Sequence, residues 1–577
     1  MTAAGWIQIA VYCALLVALT PVLGRYLARV YGGERVALAT VLGPVERGVY
    51  RLLGVRADDD MPWRAYARAA LWFTATSLAA VYLVMRTQSV HPLNHTDLTS
   101  PTWDLSFNTA ISFVTNTNWQ FYGGETTMTQ VTQMTGLAVQ NFTSAAVGIA
   151  VAVAVVRGLA RRGGGTGLGS FWADLVRSVL YVLLPLAIVA AVALMGLGVV
   201  QSLGGPTTIR TLAGADQLIT VGPVASQEAI KLLGTNGGGY FNVNSAMPFE
   251  NPTAFANLLE MLLILVIPAA LTAMYGTMVG SRRQGWAIFG AMFAMFVVAV
   301  VVVYAAEAQS SPAMQAAGLH GANLEGKDVR FGTGSSALFA AITTVASCGA
   351  VNAAMDSLTG LGGAVPLANM MTGEVIFGGV GSGLYGMLMY VVLAVFLAGL
   401  MVGRTPELLG KKIEAREVKL VAIGTLAVPL LVLVCTGIAV AVKWGDPSVY
   451  NAGPQGFAES LYAYVSQANN NGSAFAGFTG YLQPDGTNEG AFAITFANLL
   501  GGAAMLFGRF LPMLVVLAVG GALAGKRVTP AGPGTMRTDT ATFAALLIAT
   551  IVLVALLTFV PALLLGPIVQ SLTDQLF

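Results

Sequence analysis

Ten apolar runs, each near the length needed to cross a bilayer, leave this chain few ways to fold. They lie at about 6–23, 68–85, 137–156, 178–200, 254–280, 285–305, 384–403, 418–442, 492–524 and 541–565. A spanning helix takes about 20 apolar residues. The chain is 56% hydrophobic and 10% charged, whereas a soluble domain carries roughly 25% charged residues. Lipid, rather than a water-driven core, therefore organises it, and the expected fold is an all-α polytopic membrane protein of about ten transmembrane helices.

The basic residues give the orientation. The first run, Trp6 to Leu23, has no basic residue before it and is followed by Arg25, Arg29, Arg35, Arg47, Arg51 and Arg56. A secretory signal peptide has the opposite flank, so this is a retained helix. Every second connection after it is basic: Arg157, Arg161, Arg162 and Arg177; Arg282 and Arg283; Arg404, Lys411, Lys412, Arg416 and Lys419; Lys526, Arg527 and Arg537. Lys and Arg near span ends stay on the cytoplasmic side. The alternate connections, rich in Asn, Thr, Gly and Pro, then lie outside with both termini. The net charge of +2 gives no reason to expect nucleic acid. Cys13, Cys348 and Cys435 fit neither a disulfide framework nor metal-ligand spacing. The longest polar connection, from Arg25 to about Arg64, is too short to enclose much of a soluble core, so ATP-hydrolysing machinery would be on another chain.

The outer connections share one pattern: a short amphipathic stretch, then small polar residues, then another apolar run. Such a stretch is too short to span and reads as a re-entrant loop. The four instances are Ser106 to Val114 before Thr115-Asn116-Thr117-Asn118, Ala225 to Leu233 before Gly234-Thr235-Asn236-Gly237, Ser336 to Val345 before Ser347-Cys348-Gly349, and Glu459 to Val465 before Asn469-Asn470-Asn471-Gly472. Aligned on Asn118, Gly237, Gly349 and Gly472, they recur at roughly 112 to 123 residues, the mark of an internal repeat. Each period holds a span, a re-entrant loop and a second span. The chain divides into an N-terminal helix with its basic loop (1–66), four pseudo-repeats (67–160, 175–283, 284–405 and 417–526) and a C-terminal helix (538–577). A single such cluster would be an ordinary extracellular turn, but four at matching positions describe a pore.

The residue types suit a cation. Non-helical backbone at membrane depth is tolerated only when buried in protein or lining a watery cavity. Carbonyls from four loops can replace the hydration shell of a monovalent ion, with glycine supplying the left-handed conformations that aim them inward. Asn is the next most tolerant residue, which accounts for Asn118 where the other loops have Gly. The short helices point their C-terminal, partially negative ends at the cavity.

At these residues the chain resembles a known family. The segments TNTNWQFYGGE (115–125), GPVASQEAIKLLGTNGGGYFNVNSAMPFENPT (222–253), ASCGAVNAAMDS (346–357), GEVIFGGVGSGLYG (373–386), GRTPELLGKKI (403–413) and NNNGSAFAGF (469–478) are similar, in order and along the whole length, to the potassium-binding A subunit of the Kdp-type potassium-importing P-type ATPases. The resemblance implies a fold of the potassium-channel superfamily, potassium as the transported ion, and ATP hydrolysis in a partner B subunit. A C subunit and a small F subunit complete the complex in a bacterial inner membrane, surrounded by lipid. It also implies a filter of Asn116, Thr117 and Asn118; Thr235, Asn236 and Gly237; Ser347, Cys348 and Gly349; and Asn470, Asn471 and Gly472. Gln120 matches a position that influences ion affinity. In that family the ion leaves the filter sideways, through a tunnel into the ATPase subunit. Tyr240, Met247 and Asn352 are small departures from the family pattern.

Two intramembrane charges stand apart. Glu374 lies among Gly373, Gly378, Gly379, Gly381 and Gly383, where helix propensity is low and a charge is expensive. The segment either breaks the second span of the third repeat and lines the exit below the filter, or serves close helix packing with Glu374 merely paired. Arg509 either snorkels to the cytoplasmic interface or faces the interior; the interior is favoured, where its charge would turn an ion aside. Two nucleotide-like matches are discounted. Gly321 to Lys327 imitates a P-loop but has Asp328 in the Ser or Thr position, and Gly381-Ser-Gly383-Leu-Tyr-Gly386 follows no strand. Cys348 reads as a small filter residue rather than a redox thiol.

A self-sufficient channel or ion-driven transporter and a membrane scaffold are the rival functions. A pump subunit would co-purify with a P-type ATPase chain, and its potassium uptake would need ATP. A side chain at Gly237 would block or distort the filter, so Gly237→Asp is expected to abolish growth on limiting potassium; unimpaired growth would favour the scaffold.

Overall fold

The computed structural model describes residues 1–373, 375–403, 405–442, 448–479, 488–530 and 535–574. Ten helices among them are long and apolar enough to cross a membrane: Ala3–Tyr31, Trp63–Arg86, Thr132–Ala160, Phe171–Gly196, Ala254–Met278, Arg282–Ala316, Ser382–Met401, Ala415–Ala441, Phe496–Ala524 and Ala541–Leu572. They are called spans 1 to 10. Each expected apolar run falls on one of them.

Four shorter helices, Trp103–Val114, Val224–Leu233, Gly332–Val345 and Gly453–Ala468, lie between spans 2 and 3, 4 and 5, 6 and 7, and 8 and 9. These pore helices begin one to six residues before the starts read from the sequence, because their first turns carry polar or small residues such as Asp104, Gly334 and Gln455 that an apolar count passes over. The fourth also runs on to Ala468.

Burial separates the two spans of every repeat. The second spans, 3, 5, 7 and 9, have 83%, 61%, 72% and 61% of their apolar cores buried, against 22%, 33%, 44% and 39% for the first spans, 2, 4, 6 and 8. The second spans therefore form the inner ring against the pore helices, and the first spans lie on the outside. Spans 1 and 10 are additions to the outside, 28% buried each. Span 1 lies along span 5, and Gly24 lets the two backbones approach: a Cβ there would sit 2.7 Å from the Ala270 carbonyl oxygen. Small residues at helix interfaces serve this purpose in membranes.

The second inner strut of the third repeat is broken. A helix Gly360–Met371 stops short, and span 7 begins only at Ser382. The backbone between them takes left-handed conformations at Gly373, Phe377, Gly378 and Gly381. Glu374 lies outside the described residues.

The basic connections interlock at one end of the bundle. Lys411 Nζ donates to the Gly158 carbonyl at 2.9 Å, and Lys526 Nζ donates to Glu417 at 2.6 Å. An amphipathic helix, Ala39–Leu53, lies in the first of these connections. The strongest tie is Arg157, at the end of span 3. Its guanidinium holds both oxygens of buried Asp174 at 2.6 and 2.8 Å and also donates to the Tyr31 carbonyl, while Tyr66 donates to Asp174 at 2.9 Å. Three spans meet at this one carboxylate, and span 1 joins them through the guanidinium. Removing one partner of a buried pair strands the other charge, at a cost of roughly 3–5 kcal/mol. Asp174→Ala is therefore expected to lower the thermal stability of the detergent-purified protein substantially; a melting curve that does not move would show that the pair holds nothing together.

Candidate functional site: the ring of four loops

The local sequence brings each pore helix to its end in the same way. The helices stop at Val114, Leu233, Val345 and Ala468, and a single residue, Thr115, Gly234, Ala346 or Asn469, separates each from its filter triplet. The residue that opens each triplet then reverses the chain with a left-handed backbone: Asn116 at φ 65°, Thr235 at 49°, Ser347 at 46° and Asn470 at 54°. The third residue repeats this in Asn118 at 56°, Gly349 at 94° and Gly472 at 97°. Alternating handedness along a triplet turns successive carbonyls to one side, the arrangement needed to coordinate an ion from backbone oxygens alone. Asn118 thus does stand in for glycine as the sequence implies. Gly237 does not follow: its backbone is not left-handed, and it is kept small by crowding, since a Cβ would lie 2.7 Å from the Gly349 backbone.

The triplets close into a ring. Asn116 Nδ2 donates to the Gly234 and Thr235 carbonyls at 3.2 Å, joining the first loop to the second. Cys348 Sγ donates to the Asn236 carbonyl at 3.4 Å, joining the third to the second. Asn471 Nδ2 donates to the Thr343 carbonyl at 3.0 Å, joining the fourth to the third. Asn470 Nδ2 donates to Thr117 Oγ1 at 2.8 Å and completes the circuit. A Cβ on Gly472 would run into the Thr117 carbonyl oxygen, and one on Gly349 into that of Asn471. Eleven of the twelve residues are buried, and Gly472, at the mouth of the fourth loop, is half-buried.

The inner spans brace the ring with residues that the sequence analysis missed. Asn141 and Ser144, on span 3, hold three filter side chains: Asn118 Nδ2 donates to Asn141 Oδ1 at 2.8 Å, Asn236 Nδ2 to the Asn141 carbonyl at 3.0 Å, and Ser144 Oγ to Asn116 Oδ1 at 2.7 Å. The available signal was the polar group Gln140, Asn141 and Ser144 inside an otherwise apolar run, because such residues in a span rarely face lipid.

Above the ring, Asn118, Gly237, Gly349 and Gly472 open together into a vestibule of about 440 Å³. Its wall carries Trp119, Phe121 and Phe478, packed edge to face, and Gln120, whose amide donates to Tyr122 Oη at 3.1 Å. Below the ring, a cavity of about 50 Å³ is lined by Asn469, Asn470, Gly373, Ser382 and Arg509. Arg509 faces the interior and is 6% exposed; it makes no ion pair among the described residues. The broken segment of the third repeat passes directly beneath the filter, where the Val380 N–H donates to Thr235 Oγ1 at 2.9 Å and the Gly378 N–H to the Val345 carbonyl at 2.8 Å.

A family model described as the potassium-transporting ATPase A subunit matches residues 10–572. The chain belongs to the family of potassium-transporting ATPase A subunits. Members described as the potassium-transporting ATPase potassium-binding subunit include those of Methylobacterium radiotolerans, 53% identical over 99% of this chain and 98% of that protein, and of Sorangium cellulosum, 54% identical over 99% of each. Among solved structures, the potassium transporter TrkH from Vibrio parahaemolyticus is similar at a TM-score of 0.52 and 15% identity, over 90% of this chain and 98% of that one. At that identity the likeness concerns the fold.

Asn141 meets two triplets from behind, Asn118 through its side-chain oxygen and Asn236 through its backbone carbonyl. Asn141→Leu leaves Asn118 Nδ2 buried without an acceptor, a loss of about 1–3 kcal/mol. The expected outcome is an increase of roughly tenfold in the potassium concentration that half-activates the assembled complex, measured as potassium-stimulated ATP hydrolysis; unchanged half-activation would mean that the triplets support themselves.

Proposed function

We propose that this chain binds and selects extracellular potassium in the ring of four triplets and delivers it to the ATPase subunit of an ATP-driven potassium importer. One observation carries this reading: twelve residues from four homologous loops, eleven of them buried, meet head to side at the C-terminal ends of four converging helices, each triplet opening on a left-handed residue. That geometry offers carbonyl oxygens and partial negative charge to a dehydrated monovalent cation and gives an anion nothing. The resident ion is substrate, and the chain supplies no hydrolytic chemistry of its own.

The ion enters from the vestibule, past Gln120, and loses its hydration shell to Asn116, Thr117 and Asn118; Thr235, Asn236 and Gly237; Ser347, Cys348 and Gly349; and Asn470, Asn471 and Gly472. Below the filter it meets a guanidinium. Two like unit charges 4 Å apart repel by about 4 kcal/mol at the effective dielectric of a protein interior, so Arg509 bars the straight route to the cytoplasm and favours a sideways exit. The broken segment around Glu374 bounds that exit.

The finer assignments follow the family resemblance. The partner is the P-type B subunit, with the C and small F subunits completing the complex; the site is the bacterial inner membrane, with both termini on the outer side and lipid against the first spans. The repeats span 67–160, 175–283, 284–405 and 417–526.

Flux through the purified complex in vesicles tests the exit. Arg509→Gln is expected to produce a potassium leak that persists without ATP, and Glu374→Gln to depress ATP-driven uptake. A tight Arg509→Gln complex, or a Glu374→Gln complex with full uptake, would remove the corresponding role.

A further inference from the structure

The four loops do not offer their carbonyls equally. All three carbonyls of the second triplet accept a side-chain hydrogen bond: Thr235 from Asn116 at 3.2 Å, Asn236 from Cys348 at 3.4 Å and Gly237 from Asn244 at 2.6 Å. Among the described residues, no side chain donates to the carbonyls of 116–118, 347–349 or 470–472. The second loop is also the one whose third residue, Gly237, departs from the left-handed backbone of the others.

The donor to Gly237 is fixed by a buried lysine. Lys231, in the last turn of the second pore helix, has no exposed surface, and its Nζ donates to Asn244 Oδ1 at 2.8 Å. An ammonium has only donors, so it must take the amide oxygen. The Asn244 amide is thereby oriented with its Nδ2 toward the Gly237 carbonyl. Glu228 at 2.7 Å and Glu250 at 3.5 Å hold the ammonium in place, and the other Glu250 oxygen accepts the Phe241 N–H at 2.9 Å. Asn244 itself takes a left-handed backbone at φ 56°, and a Cβ on Gly239 would come within 2.8 Å of its Nδ2. The amide sits in a cradle with one orientation.

We propose that Lys231 and Asn244 are positioning residues for ion selection: together they hold the Gly237 carbonyl in a polarised hydrogen bond, so the outermost site of the filter presents a weaker field from the second loop than from the other three. A carbonyl that already accepts a charge-polarised N–H shares its electrons and is restrained from closing on an ion. Weaker, restrained oxygens favour the larger and more easily dehydrated cation, since coordinating field strength is one of the quantities that sets potassium over sodium. The cluster touches no ion and acts only through Gly237. The inference rests on the ring being the ion's seat.

The test uses the assembled complex, with potassium- and sodium-stimulated ATP hydrolysis measured on the same preparations. Asn244→Asp keeps an acceptor for Lys231 but loses the donor to Gly237, and Asn244→Ala serves where the aspartate prevents assembly. Each is expected to raise half-activating potassium about tenfold, in keeping with the loss of one charge-polarised hydrogen bond, and to narrow the discrimination against sodium by a similar factor. Lys231→Arg, still a donor, is expected to retain most of that discrimination. A purely structural defect would lower the yield of complex and its maximal rate and leave the discrimination ratio alone. Gly237→Ala is the control. If it shifts the ratio while both Asn244 variants do not, the positioning role is wrong and the filter stands; if neither position moves the ratio, the ring is not where the ion is selected.

Discussion

Backbone that leaves the helix inside a membrane has to find partners or face water, and every main feature of this protein answers to that requirement. The four triplets carry twelve peptide groups out of helical geometry, and they do so only where pore helices end, inner spans pack behind and neighbouring loops donate across the gaps. The rule that irregular backbone at membrane depth must be buried or line a cavity explains why the second spans are the more buried member of each pair. It also explains why polar residues such as Asn141 and Ser144 interrupt an apolar helix. A filter built from side chains would need no such brace. One built from carbonyls needs a rigid surround, because each oxygen is aimed by the backbone on both sides of it.

The rigidity has a local cost that the surround offsets. Thr235 and Ser347 hold left-handed conformations, and for residues other than Gly, Asn and Asp such backbone costs of order 1–3 kcal/mol each. Both hydroxyl residues sit at the level where the broken segment of the third repeat packs under the ring, and the Val380 N–H binds the Thr235 hydroxyl directly. Strain at the bottom of the filter and the irregular segment beneath it are therefore one construction. The same region holds the buried guanidinium of Arg509, so partial negative charge at the helix ends and a full positive charge face each other across the ring.

The four repeats have drifted apart while this geometry persists. Asn116, Thr235, Ser347 and Asn470 open the triplets with four different local sequences and one backbone conformation. What is common to them is the register: a helix end, one residue, then the triplet. Asymmetry enters through the partners: the second loop accepts a side-chain hydrogen bond at every carbonyl and, among the described residues, the other three accept none. A filter made from one chain can carry such differences, which a ring of identical subunits would average away.

The architecture was legible from the amino-acid sequence. Hydropathy gave the ten spans, because the transfer of apolar groups into lipid depends on composition and hardly on neighbours. The short helices and the twelve triplet residues that the fold brings into one ring were legible because short amphipathic helices followed by Asn, Thr and Gly recur at a fixed period. Helix starts were less so, since polar first turns such as that of Asp104 carry no apolar signal. Tertiary structure alone decided which loop touches which, that Gly237 is small because the Gly349 backbone lies against it rather than for its torsion, and that Asn141 and Asn244 reach the filter. Such hydrogen bonds depend on where folding brings each group, whether the partners lie 7 residues apart, as Asn244 and Gly237 do, or 353, as Asn470 and Thr117 do, and no local pattern in the chain records which pairs will meet.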